Sequence, residues 1–281
     1  MPRRIGGVRL SILIAAFPAL LAAQDAREIV RRSLELDQKN LEAARNYTYL
    51  ERQLERQFDA SGKVKQETIR TWDVTVQEGS PYRRLVGRND KPLSAEEQAH
   101  EQQKLEQNIE LRRKEPKEQR EKRIAEWERR RRKQREPLRE VIDAFDFKLS
   151  GEEALNGGEA WIIDATPHPG YRPKTTAGSV LPKMKARFWI DQHDYQWIRM
   201  EAETLDTVTF GAFLIRIAKG AHIVMEQTRI NNEVWLPKRI ALEGSARLFL
   251  VKGMHTQLDF TYSEYKKFQA DSHVLSTGEA H

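Results

Sequence analysis

Residues 184–204 read MKARFWIDQHDYQWIRMEAET, and their period decides the fold class. Met184, Ala186, Phe188 and Ile190 alternate with Lys185, Arg187, Trp189 and Asp191. After a turn at Gln192-His-Asp194, Ile198, Met200 and Ala202 alternate with Arg199, Glu201 and Glu203. Alternation with a period of two is the mark of a strand with one face buried, and the pair forms an antiparallel hairpin. The same pattern spreads in both directions. Upstream, Phe147–Ala154 and Glu159–Thr166 flank the turn Leu155-Asn-Gly-Gly158. Downstream come strands over His222–Ile230, Val234–Leu250 and His255–Lys266, with Asn231-Asn232 as a turn. Near the N-terminus, Tyr47–Gln57, Val64–Val76 and Tyr82–Arg88 give three more.

About nine strands share one apolar face, and few helices are present to cover it. Asp25–Arg45 reads as an amphipathic helix with Val30, Leu34 and Leu41 on one side. Ser94-Ala-Glu-Glu97 is a capping-box start for a second helix. Residues 94–140 then carry 15 basic and 12 acidic side chains, with Leu105, Ile109, Leu111, Ile124 and Trp127 as sparse apolar anchors. Pro116 splits or kinks this stretch, and Pro137 opens a short helix carrying Leu138, Val141, Ile142 and Phe145. A charged arm is therefore inserted between strands, projecting into water or lying over the sheet. Thr166–Lys183, with four prolines, reads as a long irregular loop of a length suited to a lid. The predicted fold class is α+β: a strongly curved antiparallel sheet, an unclosed β-barrel, with helices over its open face and a long charged helical insert at 94–145.

Arg3, Arg4 and Arg9 followed by the apolar run Leu10–Ala23 predict a cleavable signal peptide over residues 1–23, and hence an exported, periplasmic, soluble protein. Cleavage lowers the formal net charge from +6 to +3. A small net excess of that kind does not point to nucleic acid. The absence of cysteine excludes disulfides and thiolate metal sites. One domain over 24–268 and a polar tail over 269–281 complete the division.

The opening helix, Tyr47-Thr-Tyr-Leu50, Phe188-Trp-Ile-Asp191 followed by Tyr195-Gln-Trp-Ile-Arg-Met200, and Tyr262-Ser-Glu-Tyr-Lys-Lys-Phe268 together resemble the periplasmic lipoprotein-carrier (LolA/LolB-like) superfamily, which includes RseB-type sensor domains. The resemblance implies an unclosed barrel that holds acyl chains of lipids or lipoproteins, and no enzymatic activity. The charged insert departs from it.

No nucleophile elbow, phosphate loop or dinucleotide fingerprint is present, and no histidine pair has zinc spacing. No catalytic residue, cofactor or metal is therefore expected. Asp191-Gln-His193-Asp194 reads as a turn rather than a ligand set, and Glu201 with Glu203 as a solvated face. Trp72, Phe188, Met200, Leu242, Leu248 and Phe260 fall in the inward phase and are the expected lining of an apolar pocket, or else a filled core. The most apolar stretch (207–217) reads as a strand in the core, or else as an exposed element in which Phe210, Phe213 and Leu214 are candidates for a lid or membrane contact. The run Arg129, Arg130, Arg131, Arg132, Lys133 reads as a solvated helix face or as a contact with an envelope protein or anionic membrane. An adaptor that docks a partner through the arm at 94–136 is the alternative to a carrier.

Overall fold

The computed structural model describes residues 16–155, 157–210, 215–248 and 254–267. Helix α1 spans Ala16–Ala44 and thus joins the end of the N-terminal apolar run to the first amphipathic helix. Strands β1 (Tyr47–Phe58), β2 (Val64–Gln77), β3 (Ser80–Arg88) and the two-residue β4 (Lys91–Pro92) follow. The arm is α2 (Ala95–Lys114) and α3 (Lys117–Gln134), broken at Pro116 as expected. The capping box is formed: Glu97 N–H donates to Ser94 Oγ, and the Glu97 carboxylate accepts from Ser94 N–H at 3.0 Å. A 3₁₀ turn (Glu136–Glu140) and α4 (Val141–Ala144) lead into β5 (Phe145–Leu155). Phe145 therefore begins a strand rather than ending the short helix. Then come β6 (Gly158–Pro167), β7 (Met184–Asp191), β8 (Trp197–Thr204), β9 (Val208–Phe210), β10 (Ile215–Ile217), β11 (His222–Ile230), β12 (Val234–Leu248) and β13 (Met254–Lys267).

These make one antiparallel sheet in the order β4-β3-β2-β1-β13-β12-β11-β8-β7-β6-β5, with β9 and β10 paired to each other and β10 to β12. Among the described residues β4 and β5 are terminal strands that do not pair with each other, so the curved sheet is not closed into a barrel. Beyond the ten strands read from the sequence, the structure adds the two-residue β4 and two short strands in the apolar stretch at 207–217. Neither β9 nor β10 pairs with β8 or β11; both lie beyond a break at which Thr204 Oγ1 donates to Ala218 O and accepts from Ala221 N–H.

The main core lies where α1 crosses the β5–β7 side. Ala26 and Val30 of α1, Val141 and Ala144 of α4, and Phe145, Phe147, Ile163 and Ile190 of the sheet are buried together. A smaller cluster of Ala160, Trp189, Ile198 and Trp235 sits on the opposite face. The alternation pattern put Ile198 on the inner face with Met200 and left Trp189 on the polar side. A β-bulge explains the difference: Ile190 pairs with Trp197 and Trp189 with Arg199, so Ile198 has no partner in the ladder and turns outward.

The 166–183 loop ends in a 3₁₀ helix, Gly178–Lys183, that sends Val180 and Leu181 into the main core. Its middle is anchored by Glu140, a buried carboxylate that accepts from Lys174 N–H at 2.7 Å and from the hydroxyls of Thr175 and Tyr171. Those donors hold the Glu140 carboxyl down at about 2. This stretch is thus tied to the turn before α4 by bonds that any lid motion would have to break.

Candidate ligand-binding face

Antiparallel partners in register point to the same face, so the pairing identifies which side chains share the inner surface. Phe188 pairs with Met200, Met200 with Met225, Met225 with Ile240, and Ile240 with Phe260. One row therefore crosses five strands, about 19 Å at the usual strand spacing of ~4.8 Å. A second row, Ala186–Ala202–Ile223–Leu242–Leu258, runs beside it. Both continue the face that α1 covers over β5–β7. Past α1 the cover thins: Met200, Met225, Ile240, Leu242, Leu258 and Phe260 are all only half-buried.

The sequence-based residues can now be placed. Phe188 and Met200 are direct neighbours, Leu242 lies in the adjoining row, and Phe260 closes the first row. Trp72 pairs with Glu51, which pairs with Tyr262, so it lies one row further along the same face. Leu248 pairs with Ile215 near the far end of β12. Phe210 ends β9, while Phe213 and Leu214 lie outside the described residues.

Trp72, Glu51 and Tyr262 lead to a cleft the sequence did not single out. Its volume is about 360 Å³, and it lies between α3 and the sheet. Tyr49, Val74, Tyr262 and Tyr265 line it from the strands, Trp127 and Arg131 from α3, and Arg45 from just past the end of α1. Tyr49 packs against Tyr262 and Tyr265 with centroids 5.7 and 5.5 Å apart. Burial pushes the Tyr262 and Tyr265 hydroxyls well above their ordinary range, so they stay neutral donors. Glu51 is buried here and pairs with Arg83. Burial raises its carboxyl above the usual value, and the Arg83 charge opposes that. Arg83 also lies over the Trp72 ring, 4.7 Å from its centroid. The buried Trp72 Nε1–H has no acceptor among the described residues.

The arm roofs this cleft because arginines bolt it down. Arg112 donates to the carbonyls of Gln77, Ser80 and Pro81 at 2.8, 3.0 and 3.3 Å. Arg123 donates to Glu78 O at 3.1 Å and to the Glu115 carboxylate at 2.8 Å. Gly79 adopts φ +81°, and Ile124 packs so close that an added Cβ would lie 2.7 Å from its Cδ1. At the far end Arg135 pairs with buried Asp37 of α1, whose other oxygen accepts from Trp197 Nε1 at 3.0 Å. Of the two placements left open for the arm, it lies over the sheet.

The remaining motifs take ordinary structural roles. Asp191 Oδ1 accepts from the backbone N–H of His193 and Asp194 at 2.9 Å, which closes a turn. Glu203 pairs with Lys185 at 2.7 Å and Glu201 with Arg199. Of the basic run, Arg129, Arg130 and Lys133 are exposed, Arg132 reaches Glu128, and Arg131 faces the cleft. No described helix is long and apolar enough to cross a membrane, which says nothing about strands.

Neither a protein-family model nor a curated protein sequence matches the chain. Solved structures do. A domain from Vibrio parahaemolyticus described as an outer membrane lipoprotein-sorting protein matches at 10% identity and TM-score 0.32, covering 87% of this chain and 95% of that one. A LolA superfamily protein from Nitrosomonas europaea matches at 12% identity and TM-score 0.28, over 87% and 93% of the two chains. The MucA/MucB complex of Pseudomonas aeruginosa matches at 9% identity and TM-score 0.25, over 88% and 100%. The fold itself rests on the pairing described above: an open antiparallel sheet with helices across one face, which is the architecture the sequence resemblance implied.

Proposed function

We propose that the protein is an exported, non-enzymatic carrier or sensor that binds an amphiphile by its acyl chain along the inner face of the open sheet. The observation that carries this reading is the row Phe188–Met200–Met225–Ile240–Phe260, apolar and half-buried throughout, adjoining a cleft roofed by Trp127. Burial of each methylene on such a surface gains about 0.8 kcal/mol before ordering costs. Trp72, Leu242 and Leu248 extend the proposed binding surface. Export rests on the N-terminal basic and apolar pattern of the sequence.

Native mass spectrometry of protein purified gently from a bacterial periplasm tests the reading, with N-terminal sequencing to locate signal cleavage near Ala23. A co-purifying lipid or acylated peptide is expected, and it should be lost in a folded Leu242→Gln or Met225→Gln variant. A protein that arrives empty, and stays empty when offered fatty acids and lipopeptides, would mean the face is closed in solution and the reading is wrong. The adaptor reading keeps one supporting observation: Arg129, Arg130 and Lys133 stay exposed on the outer side of α3. Their contact with an anionic membrane or acidic envelope protein would be weak and salt-sensitive.

A further inference from the structure

Beside the tyrosine cleft, α1 and the arm enclose a second cleft of about 370 Å³. Both volumes fall in the ~300–1,000 Å³ range of small-molecule sites. Six arginines line the second cleft against four carboxylates: Arg31 and Arg45 on the α1 side, and Arg131, Arg132, Arg135 and Arg139 on the arm side. Leu34, Leu138 and Ile142 supply apolar walls. The carboxylates do not neutralise it evenly. Glu35 takes Arg31, Asp37 takes Arg135, Glu42 and Glu128 hold Arg45 at 3.1 and 3.3 Å, and Glu128 also reaches Arg132 at 3.6 Å. Arg139 is exposed and makes no ion pair among the described residues. Arg131 lies over the Trp127 ring at 4.9 Å. Burial first, and then the like charges of Arg45 and Arg135, push its guanidinium below its ordinary value. The positive charge there is thus crowded and partly desolvated, a setting in which a bound anion gains most.

Arg45 and Arg131 line both clefts. The arginine groove and the tyrosine cleft therefore meet at these two side chains. From that junction Tyr262 leads, two residues along β13, to Phe260 and the apolar row. We propose that this junction selects an amphiphile with a phosphate headgroup, the phosphate lying in the arginine groove and the acyl chain running through the tyrosine cleft onto the apolar row. A doubly charged phosphate is favoured over a carboxylate because several guanidinium forks converge on one small volume. The inference rests on the carrier reading above and adds to it the class of ligand.

The test uses delipidated mature protein and three probes of equal chain length, all below their critical micelle concentrations: myristoyl lysophosphatidic acid, myristoyl lysophosphatidylcholine and myristate. Binding is read by calorimetry and by tryptophan fluorescence. Wild type should bind the phosphate-headed lipid at least ten-fold more tightly than either other probe. Arg45→Gln/Arg131→Gln should lose that preference while still binding the choline-headed lipid. Arg129→Gln/Arg130→Gln removes the same charge from the exposed side of α3 and should keep the preference. Arg139→Gln, which breaks no ion pair among the described residues, should weaken phosphate-headed binding several-fold in a protein with unchanged circular dichroism. Equal affinity for all three probes in wild type would overturn the headgroup assignment and leave the carrier reading standing. So would equal losses in the two double variants, since net charge alone would then account for them. Myristate binding as tightly as the phosphate-headed lipid would overturn the choice of phosphate. Failure to bind any probe would sink both readings together.

Discussion

Replacing Glu140 with glutamine should cost about 2–3 kcal/mol at pH 7 and distinctly less in acid. The carboxylate is 4% exposed and receives three donors from the 171–175 stretch. Its folded value of about 2, against 4.5 unperturbed, is a shift whose free-energy equivalent is about 3.5 kcal/mol at ~1.4 kcal/mol per unit, before a discount for residual solvent screening. Because the folded value is depressed, the stabilisation is fully present above the unfolded value and is lost as pH falls from 4.5 towards 2. At pH 3 the wild-type advantage should have dropped to roughly 1–1.5 kcal/mol. The amide can turn its one oxygen to Lys174 N–H and Tyr171, but its NH2 then faces Thr175 Oγ1, which must change from donor to acceptor, so Glu140→Gln is not a neutral swap. Urea unfolding of both proteins at pH 7 and pH 3 measures the two differences directly. A gap that stays the same at both pH values, or that is under about 1 kcal/mol at pH 7, would refute the claim that a charged Glu140 anchors the loop.

Gly178→Ala should destabilise by about 1–3 kcal/mol, because its new Cβ would sit 2.5 Å from Glu140 Oε1. Most of that cost should vanish in a Glu140→Ala background, which a double-mutant cycle by thermal unfolding reads out. Asp37→Ala leaves Arg135 and Trp197 Nε1–H without their shared acceptor. Chemical denaturation should show a loss of about 2–4 kcal/mol. Arg112→Ala removes three hydrogen bonds that pin α2 to the β2–β3 turn. Limited trypsinolysis should then cut faster within residues 113–135 while the sheet stays intact, whereas an unchanged cleavage rate would show that Arg123 and Asp37–Arg135 suffice to hold the arm.

The legible parts of this protein are those whose cause lies within a few residues. Alternation in 184–204 identified the hairpin because strand side chains change face at every step. Ser94 with Glu97 identified a helix start because that cap closes over one turn, and Pro116 a helix break because it lacks the N–H the ladder needs. Asn231-Asn232 was readable as a turn for the same reason, since both residues take positive φ, which asparagine tolerates. The shared phase of Trp72, Phe188, Met200, Leu242 and Phe260 followed from the same count.

The same local view misled at Ile198, where one bulge residue shifts the ladder and carries no sequence mark. Nor could it show what holds the middle of the 166–183 loop. The anchor, Glu140, comes from a segment 31 residues earlier than Tyr171.

By itself the sequence determined a set of alternating antiparallel strands, a charged helical insert and an apolar inner phase. Only the tertiary structure decided that the insert folds back over the sheet and that the row from Phe188 to Phe260 stays half-buried. It also brought Arg45 and Arg131 to the seam between two clefts. The physical reason is range. Secondary structure follows from local sterics and hydrogen bonding, whereas the cover of a face depends on pairs such as Asp37 with Arg135, 98 residues apart, whose meeting only the folded chain arranges.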